Sequence, residues 1–422
     1  MRVLLVGSGG REHALARSLA RSPRVSDLLW APGNGGASGK IRTAPVKSED
    51  VDGLARLAQE ERADLVVVGP EVPLALGLAD RLGALSIPCF GPVAGAARLE
   101  ASKVFTKEFC RRWAIPTAEG RVFDRAEEAR AYLESYGGPF PLVLKADGLA
   151  AGKGVLLCGG RAEALEAAEA ILVRKDFGEA GNRLLLEEFL EGEEASLLVF
   201  ADGEDYAVMP PARDYKRAED GDRGPNTGGM GAYCPASVLK EGPLQQALKT
   251  IVEPALRGIA AEGHPYRGVL YAGLMVTASG PRLLEFNCRF GDPETQVVLP
   301  RLESDLAEVA LACARGGLRG VAIRWKAEAA VTVVLASRGY PGPYRTGFPI
   351  EGIEEAEDLP GVQVFHAGTR RQGDQVVTAG GRVLNVTALA PTVAEARERA
   401  YRAAARIRFE GKTYRTDIAG GL

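Results

Sequence analysis

The 422-residue chain predicts an α/β fold, α+β overall, with a doubly wound parallel α/β domain first, a mixed central body, and a β-rich domain last. Three observations carry that prediction. Over residues 1–102, short β-branched runs alternate with helical stretches, as in a parallel sheet covered on both faces. Further on, two apolar runs flank a glycine-rich turn, as in a mobile hairpin. The last ~95 residues change texture, with turns such as Gly339-Tyr-Pro-Gly-Pro343 and Ala379-Gly-Gly381.

In chain order, the first strand is Val3 to Val6 and a helix starts at about Arg11. A strand at Asp27 to Trp30, a helix near Val51 to Glu60 and a strand at Asp64 to Val68 follow, and Gly91-Pro92 closes the unit. A helix around Ser102 to Trp113 leads to Pro116. The hairpin strands are Leu142 to Lys145 and Val155 to Leu157, joined by Ala146-Asp-Gly-Leu-Ala-Ala-Gly-Lys-Gly154. After a strand at Arg183 to Glu187, a mixed region runs to about Gly320, and Thr392 with Glu395 caps a final helix. No internal repeat or low-complexity linker interrupts the chain, so its domains are expected to pack closely.

Composition narrows the function. With 46% hydrophobic and 25% charged residues and a net charge of −3, a broad nucleic-acid or anionic-membrane surface is not expected, and any anion site must be local. Six cysteines without paired spacing and three histidines draw no zinc or redox cluster. The apolar start is too short for a signal peptide, and no run approaches the ~18 apolar residues of a membrane span. The expectation is a cytoplasmic protein with reduced thiols.

The richest segment chemically is Arg282-Leu-Leu-Glu-Phe-Asn-Cys-Arg-Phe-Gly-Asp-Pro-Glu294, an apolar strand with Glu285, Asn287 and Arg289 at two-residue spacing and hence on one face. A carboxylate beside an amide oxygen suits a hard Mg²⁺ (or Mn²⁺) held partly by phosphates, and an arginine suits a transferring phosphoryl group. Gly7-Ser-Gly-Gly-Arg-Glu12 follows a strand and opens a helix, where a phosphate is attracted. Glu12 replaces the third glycine of a dinucleotide motif, and Ala31-Pro-Gly-Asn34 offers no acid for a ribose; both count against NAD. Arg11 favours one phosphate, as on a monophosphorylated sugar, over a purely structural turn.

Lysine is sparse, 12 against 40 arginines, which draws attention to Lys145 at a strand end and Lys153 in the glycine-rich turn. That turn does not fit a Walker P-loop, and by itself a simple flexible hairpin is equally compatible. Leu184 to Glu194 runs into an acidic turn; a hinge there can read adenine's edge, and a later carboxylate can take ribose hydroxyls, although an exposed acidic turn would look the same. Arg213-Asp-Tyr-Lys-Arg217 before Gly224-Pro-Asn-Thr-Gly-Gly-Met-Gly231 would suit a substrate with a carboxylate and an amine, or form a polar surface loop.

In this order the segments resemble the ATP-grasp ligases over essentially the whole length, and within them the glycinamide ribonucleotide synthetase family. The resemblance rests on Val6-Gly-Ser-Gly-Gly-Arg-Glu-His-Ala14, Pro32-Gly-Asn34, Gly69-Pro-Glu-Val-Pro-Leu74, Ser102-Lys103, Leu144 to Val155, Glu187 to Ser196, Gly224 to Tyr233 and Glu285 to Glu294. It implies ATP-dependent joining of glycine to 5-phosphoribosylamine through glycyl phosphate, in de novo purine synthesis. It also implies a substrate domain at 1–102, an ATP-grasp domain at 103–322 with a small mobile lobe at about 118–192, and a β-rich domain at 323–422.

Carried over by motif, Lys103, Lys145, Gly152, Lys153 and Gly154 would hold ATP phosphates. Glu187, Glu188 and Leu190 would face adenine, and Glu194 the ribose. Glu285 and Asn287 would bind the metal, with Arg289 and Lys145 catalytic. Gly9, Gly10, Arg11, Asn34, Glu71, Asp214, Gly228, Gly229 and Asp292 would bind the substrates. Many ATP-grasp enzymes carry another metal-binding acid on the preceding strand, but Tyr271-Ala-Gly-Leu-Met275 offers none, so one protein-defined metal site is expected. The partners implied are small molecules only, with no nucleic acid and no membrane, and the enzyme a monomer. Another ATP-grasp ligase or carboxylase activating formate or bicarbonate is the neighbouring alternative.

Overall fold

The computed structural model describes residues 1–149 and 154–421. Its first unit is a five-stranded parallel sheet in the order Ile41–Thr43, Asp27–Pro32, Arg2–Gly7, Leu65–Val68, Cys89–Phe90. Both faces are buried, as a parallel sheet requires: Leu4 and Val6 enter one core, Val3 and Leu5 the other. The helix Gly10–Ala20 springs from the end of the first strand, with Glu12 accepting the N–H of Gly9 at 2.6 Å.

A second sheet is antiparallel, in the order Tyr206–Val208, Glu193–Asp202, Arg267–Thr277, Gly280–Asn287. Its long strand alternates between the same two cores, Leu197 and Val199 joining Leu4 while Leu198 and Phe200 join Leu5. The parallel unit and this sheet therefore share their interiors. Gly268, at φ +114°, lies so near Gly91 that a Cβ there would be 3.0 Å from the Gly91 Cα.

A small lobe has its own core. Its four antiparallel strands run Gly120–Phe123, Leu184–Glu188, Leu142–Ala146, Val155–Cys158, and Leu142, Leu144, Leu184 and Leu186 pack under the helices Ala126–Ser135 and Arg161–Leu172. The glycine-rich hairpin expected between Leu142 and Leu157 is the pairing of the last two of these strands.

The remaining large sheet runs Arg213–Asp214, Gly231–Cys234, Ala329–Ser337, Arg382–Ala390, Val362–His366, with Lys412–Thr413 paired to Ala329–Ser337. Two of its strands come from the central body, so the polar loop between them is anchored on the closing part of the chain. The helix Val393–Arg406 lays Ala396, Ala400, Ala403 and Ala404 on this sheet, and Thr392 caps it by accepting the N–H of Glu395 at 3.2 Å. Among the described residues, no helix is long and apolar enough to cross a membrane.

Gly268→Ala forces a side chain onto a left-handed backbone and against the neighbouring main chain, at a cost on the order of 1–3 kcal/mol. Urea unfolding should show a lower midpoint than the parent; an unchanged midpoint would mean that the two units do not depend on this approach.

Candidate active site

The small lobe and the antiparallel body meet at Lys145. On adjacent strands Lys145 pairs with Leu185 and Val143 with Glu187, so Lys145 and Glu187 lie diagonally on one face of the lobe's sheet. Lys145 Nζ lies 2.5 Å from Glu187 Oε2 and donates to the carbonyl of Leu284 in the opposing body at 3.2 Å. Glu187 also pairs with Lys107, which donates to the carbonyl of Ala118 at 2.6 Å. Burial works to raise the Glu187 pKa, but the two ammonium groups outweigh it and hold the carboxyl below its ordinary value. Burial likewise opposes the charge on Lys145, and Glu187 reverses the sign and raises its pKa.

Lys103 opens the helix Lys103–Arg112 and donates to the carbonyl of Gly148 at 2.8 Å, joining that helix to the hairpin loop. Burial depresses its pKa, while the charge of Glu285 works the other way. Asp147 makes the same joint from the loop side, accepting from Ser102 Oγ at 2.9 Å and Val104 N at 3.1 Å and pairing with Arg183 at 2.5 Å. Gly154 returns the chain to the sheet, its carbonyl accepting from Ala146 N at 2.8 Å. Gly152 and Lys153 lie outside the described residues.

Glu285 and Asn287 occupy the last strand of the body, opposite Gly273 and Tyr271. A register shift by Leu274 leaves Leu284 out of the pairing, and the strand ends at Asn287. Arg289 therefore does not continue the strand face, contrary to the simple two-residue alternation. Its guanidinium turns to the parallel unit, where Nε meets Glu71 at 3.0 Å and Nη2 meets Glu100 at 2.6 Å. Glu100 also accepts the N–H of Cys288 at 2.7 Å. Glu71 is thus brought to Arg289; burial alone would raise its pKa, but Arg289 and Arg11 pull it down to about 2.

The acidic turn does not act as one group. Glu188 accepts from Glu119 N at 2.9 Å and pairs with Arg282 at 3.2 Å, and Leu190 packs with Ala118 and Met275. Glu194 instead meets Lys216 at 2.7 Å, and Lys216 meets Asp214 at 3.2 Å. Burial raises the Asp214 pKa to about 7, with Lys216 opposing and Glu294 and Glu194 adding to the rise.

At the glycine-rich first turn, the anion partner is already internal. Glu12 accepts from Gly9 N and pairs with Arg11 at 2.5 Å, and the other side of that guanidinium donates to the carbonyl of Phe290 at 2.9 Å. Gly10 packs on Asn385 and Gln296. Glu12, the residue that breaks the dinucleotide pattern, thus already balances the Arg11 guanidinium, and binding of a sugar phosphate at Gly9, Gly10 and Arg11 remains a proposal.

Beside this turn lies a cavity of about 340 Å³ lined by Ser8, Gly9, Asn34, Asp292, Tyr340, Thr369 and Arg382. Asn34 Nδ2 braces its wall by donating to the carbonyls of Ser8 and His366, each at 2.8 Å. Arg382 lies 3.3 Å from Asp292 and donates to the carbonyl of Gly228 at 2.6 Å, while Tyr340 accepts from Gly228 N at 3.0 Å. Gly229 N is held by Thr227 Oγ1 at 2.9 Å. Gly9, Asn34, Asp292, Gly228 and Gly229, chosen from sequence, thus meet around one seam.

Sequence reasoning missed Glu100, Lys107, Tyr340, Thr369 and Arg382; Asp147 and Lys216 lay inside segments it singled out but were given no role of their own. The scarcity of lysine was a usable signal for Lys107 and Lys216; no local signal marks Tyr340, Thr369 or Arg382, whose partners are distant in the chain.

Glu285 and Asn287 together offer one carboxylate and one amide oxygen. No cluster of three or more His, Cys, Asp or Glu side chains suited to a metal occurs among the described residues. The pair fits a hard divalent cation that takes its remaining ligands from water and phosphates, and the absence of a side chain at the opposing Gly273 leaves room beside Glu285.

A four-stranded lobe set against an antiparallel body, with lysines and acids between them, is the ATP-grasp arrangement. The phosphoribosylglycinamide synthetase N domain matches residues 1–100, its ATP-grasp (A) domain residues 101–295, and its C domain residues 330–421. The chain belongs to the phosphoribosylglycinamide synthetase family. The phosphoribosylamine–glycine ligase of Caulobacter vibrioides is 52% identical over 99% of this chain and 97% of its own length. The crystal structure of phosphoribosylamine–glycine ligase from Thermotoga maritima superposes with a TM-score of 0.84 at 34% identity, covering 99% of this chain and 100% of that one. A biotin carboxylase–β,γ-ATP complex from Campylobacter jejuni shares the fold, with a TM-score of 0.73 at 15% identity over 98% of this chain and 92% of that one.

A depressed carboxyl such as Glu71 stabilises the fold above its unfolded pKa of 4.5, and that contribution is lost as pH falls toward about 2. The stability difference between the parent and Glu71→Gln should therefore shrink as pH is lowered from about 5 to about 3. Unfolding curves at several pH values check this; a constant difference would remove the ion-pair explanation.

Proposed function

We propose that this chain joins glycine to 5-phosphoribosylamine with ATP, giving glycinamide ribonucleotide, ADP and phosphate. The observation that carries the reading is the hydrogen bond from Lys145 to the Leu284 carbonyl, which brings a small-lobe cation against the strand bearing Glu285. Family membership supplies the reaction class, and the relatives' printed activity the substrates.

In this reading, ATP lies between the lobes, with its phosphates toward Lys103 and Lys145, adenine along Glu187 to Leu190, and ribose at Glu194. Mg²⁺ or Mn²⁺ at Glu285 and Asn287 would spread phosphate charge. Glycine's carboxylate is a poor electrophile, so one of its oxygens attacks the γ-phosphorus and the bond to the bridging oxygen breaks, releasing ADP. Lys145 stabilises the charge spread over the phosphoryl oxygens, and Arg289, held by Glu71 and Glu100, presents a fixed cation to the acyl phosphate. The amine of phosphoribosylamine then attacks the carbonyl, losing a proton as phosphate leaves. No side-chain nucleophile is needed, because positioning and charge supply the rate.

The seam cavity suits the phosphoribosyl group: Arg382 provides the cation, Thr369 a hydroxyl, and Asp292 a carboxylate for ribose hydroxyls. Glycine falls to Asp214, Gly228 and Gly229. Residues 1–102, 103–322 and 323–422 remain the proposed substrate, ATP-grasp and β-rich parts, in a monomeric cytoplasmic enzyme that meets only small molecules.

ADP release should require glycine and phosphoribosylamine together; release supported by bicarbonate or formate instead would overturn the substrate assignment. Glu285→Ala should lower turnover about a hundredfold or more. Arg382→Ala removes a charged hydrogen-bonding group worth about 1.5–3 kcal/mol, so the KM for phosphoribosylamine should rise about ten- to a hundredfold while that for ATP stays within about twofold. An equal rise in both would argue against a phosphoribosyl site at the seam.

A further inference from the structure

Lys216 has no role in the scheme above, yet it lies between two of its sites. Its main chain falls between the strands Arg213–Asp214 and Arg217–Glu219, and Thr227 fixes it from across the loop, donating to the Lys216 carbonyl through N at 2.7 Å and Oγ1 at 2.8 Å. Thr227 also holds Gly229, so the Lys216 backbone and the Gly228–Gly229 loop are one assembly.

The side chain forks in the other direction. Its ammonium meets Glu194 at 2.7 Å and Asp214 at 3.2 Å. The two acids differ in access: the Glu194 side chain is 40% exposed and Asp214 only 8%. Ligand hydroxyls can therefore compete for Glu194, whereas Asp214 keeps its partner. An ammonium has three donors and no acceptor, so a lysine that gives up Glu194 has a donor to satisfy and a charge to place nearby. Burial disfavours that charge, but Asp214 and Glu194 hold the Lys216 pKa well above its ordinary value.

We propose that Lys216 is a positioning residue that couples the nucleotide and glycine sites: ribose hydroxyls displace it from Glu194, and the released ammonium, still held by Asp214, binds the glycine carboxylate. The coupling rests on the nucleotide and glycine assignments made above. It gives the reaction an order without a moving domain, since nucleotide ribose must be seated before the cation that aligns the carboxylate is free. By linkage, glycine in turn holds the ammonium away from Glu194 and tightens nucleotide binding by the same factor.

The proposal predicts changes of opposite sign at the two sites. In Lys216→Met, which keeps the apolar stem and loses the charge, Glu194 no longer has to exchange a partner. Calorimetry should show ADP binding three- to tenfold tighter and 2′,3′-dideoxy-ADP unchanged, while the KM for glycine rises more than tenfold. Lys216→Arg should restore ADP affinity to near the parent value and recover part of the glycine affinity. Weaker binding of both nucleotides in Lys216→Met would make Lys216 a direct phosphate ligand, and unchanged ADP binding would make it a bystander; either result overturns the coupling. Parent enzyme whose ADP release ignores glycine would instead bring down the functional reading itself, a failure seen without any variant.

Discussion

The arrangement depends on one buried carboxylate shared by two lysines. Glu187 takes Lys145 from its own sheet and Lys107 from the helix before the lobe, and the two cations reach on to the carbonyls of Leu284 and Ala118. Three charges in a dry interface carry a desolvation penalty of several kcal/mol per ion, offset only when the geometry satisfies their hydrogen bonds. Those bonds are made to three separate segments. The condition that makes the charges tolerable therefore also sets how the small lobe sits on the body, and with it the distance from Lys145 to the strand of Glu285.

A similar economy governs the parallel unit. A glycine-rich turn at a helix start attracts negative charge, and here the chain provides its own in Glu12. Arg11 is drawn in with it and fastened to the Phe290 carbonyl, so the turn holds the segment that follows the body's last strand. Glu71 and Glu100 repeat this from the neighbouring helices by gripping Arg289. Charges that look like substrate contacts in isolation act as joints between domains, and the seam cavity forms where those joints meet the β-rich part.

That meeting follows from the sheet that includes Gly231–Cys234 and Arg382–Ala390. Because the central body contributes strands to it, the loop Gly224 to Gly231 is fixed at its end by Ala329–Ser337, and Arg382 and Tyr340 reach Gly228. The closing part of the chain is thus one wall of the seam cavity.

The sequence by itself determined what local period and capping decide. The alternation over residues 1–102, the hairpin strands about the glycine-rich turn, the Ser102 and Thr392 helix starts, and the adjacent acid and amide at 285 and 287 are each written within a few neighbouring residues. The parallel sheet was legible because strands buried on both faces need continuous apolar runs. Only tertiary structure decided which charges pair. Arg289 looked like the third member of a strand face, but the strand ends at Asn287 and the guanidinium reaches Glu71 and Glu100, more than 180 residues earlier. Arg382, Tyr340 and Thr369 carry no mark in the sequence, and the charged run around Lys216 does not say which acids it meets. Their roles arise from contacts between distant segments, and pairing energies depend on separation and dielectric in space, which no spacing along the chain records.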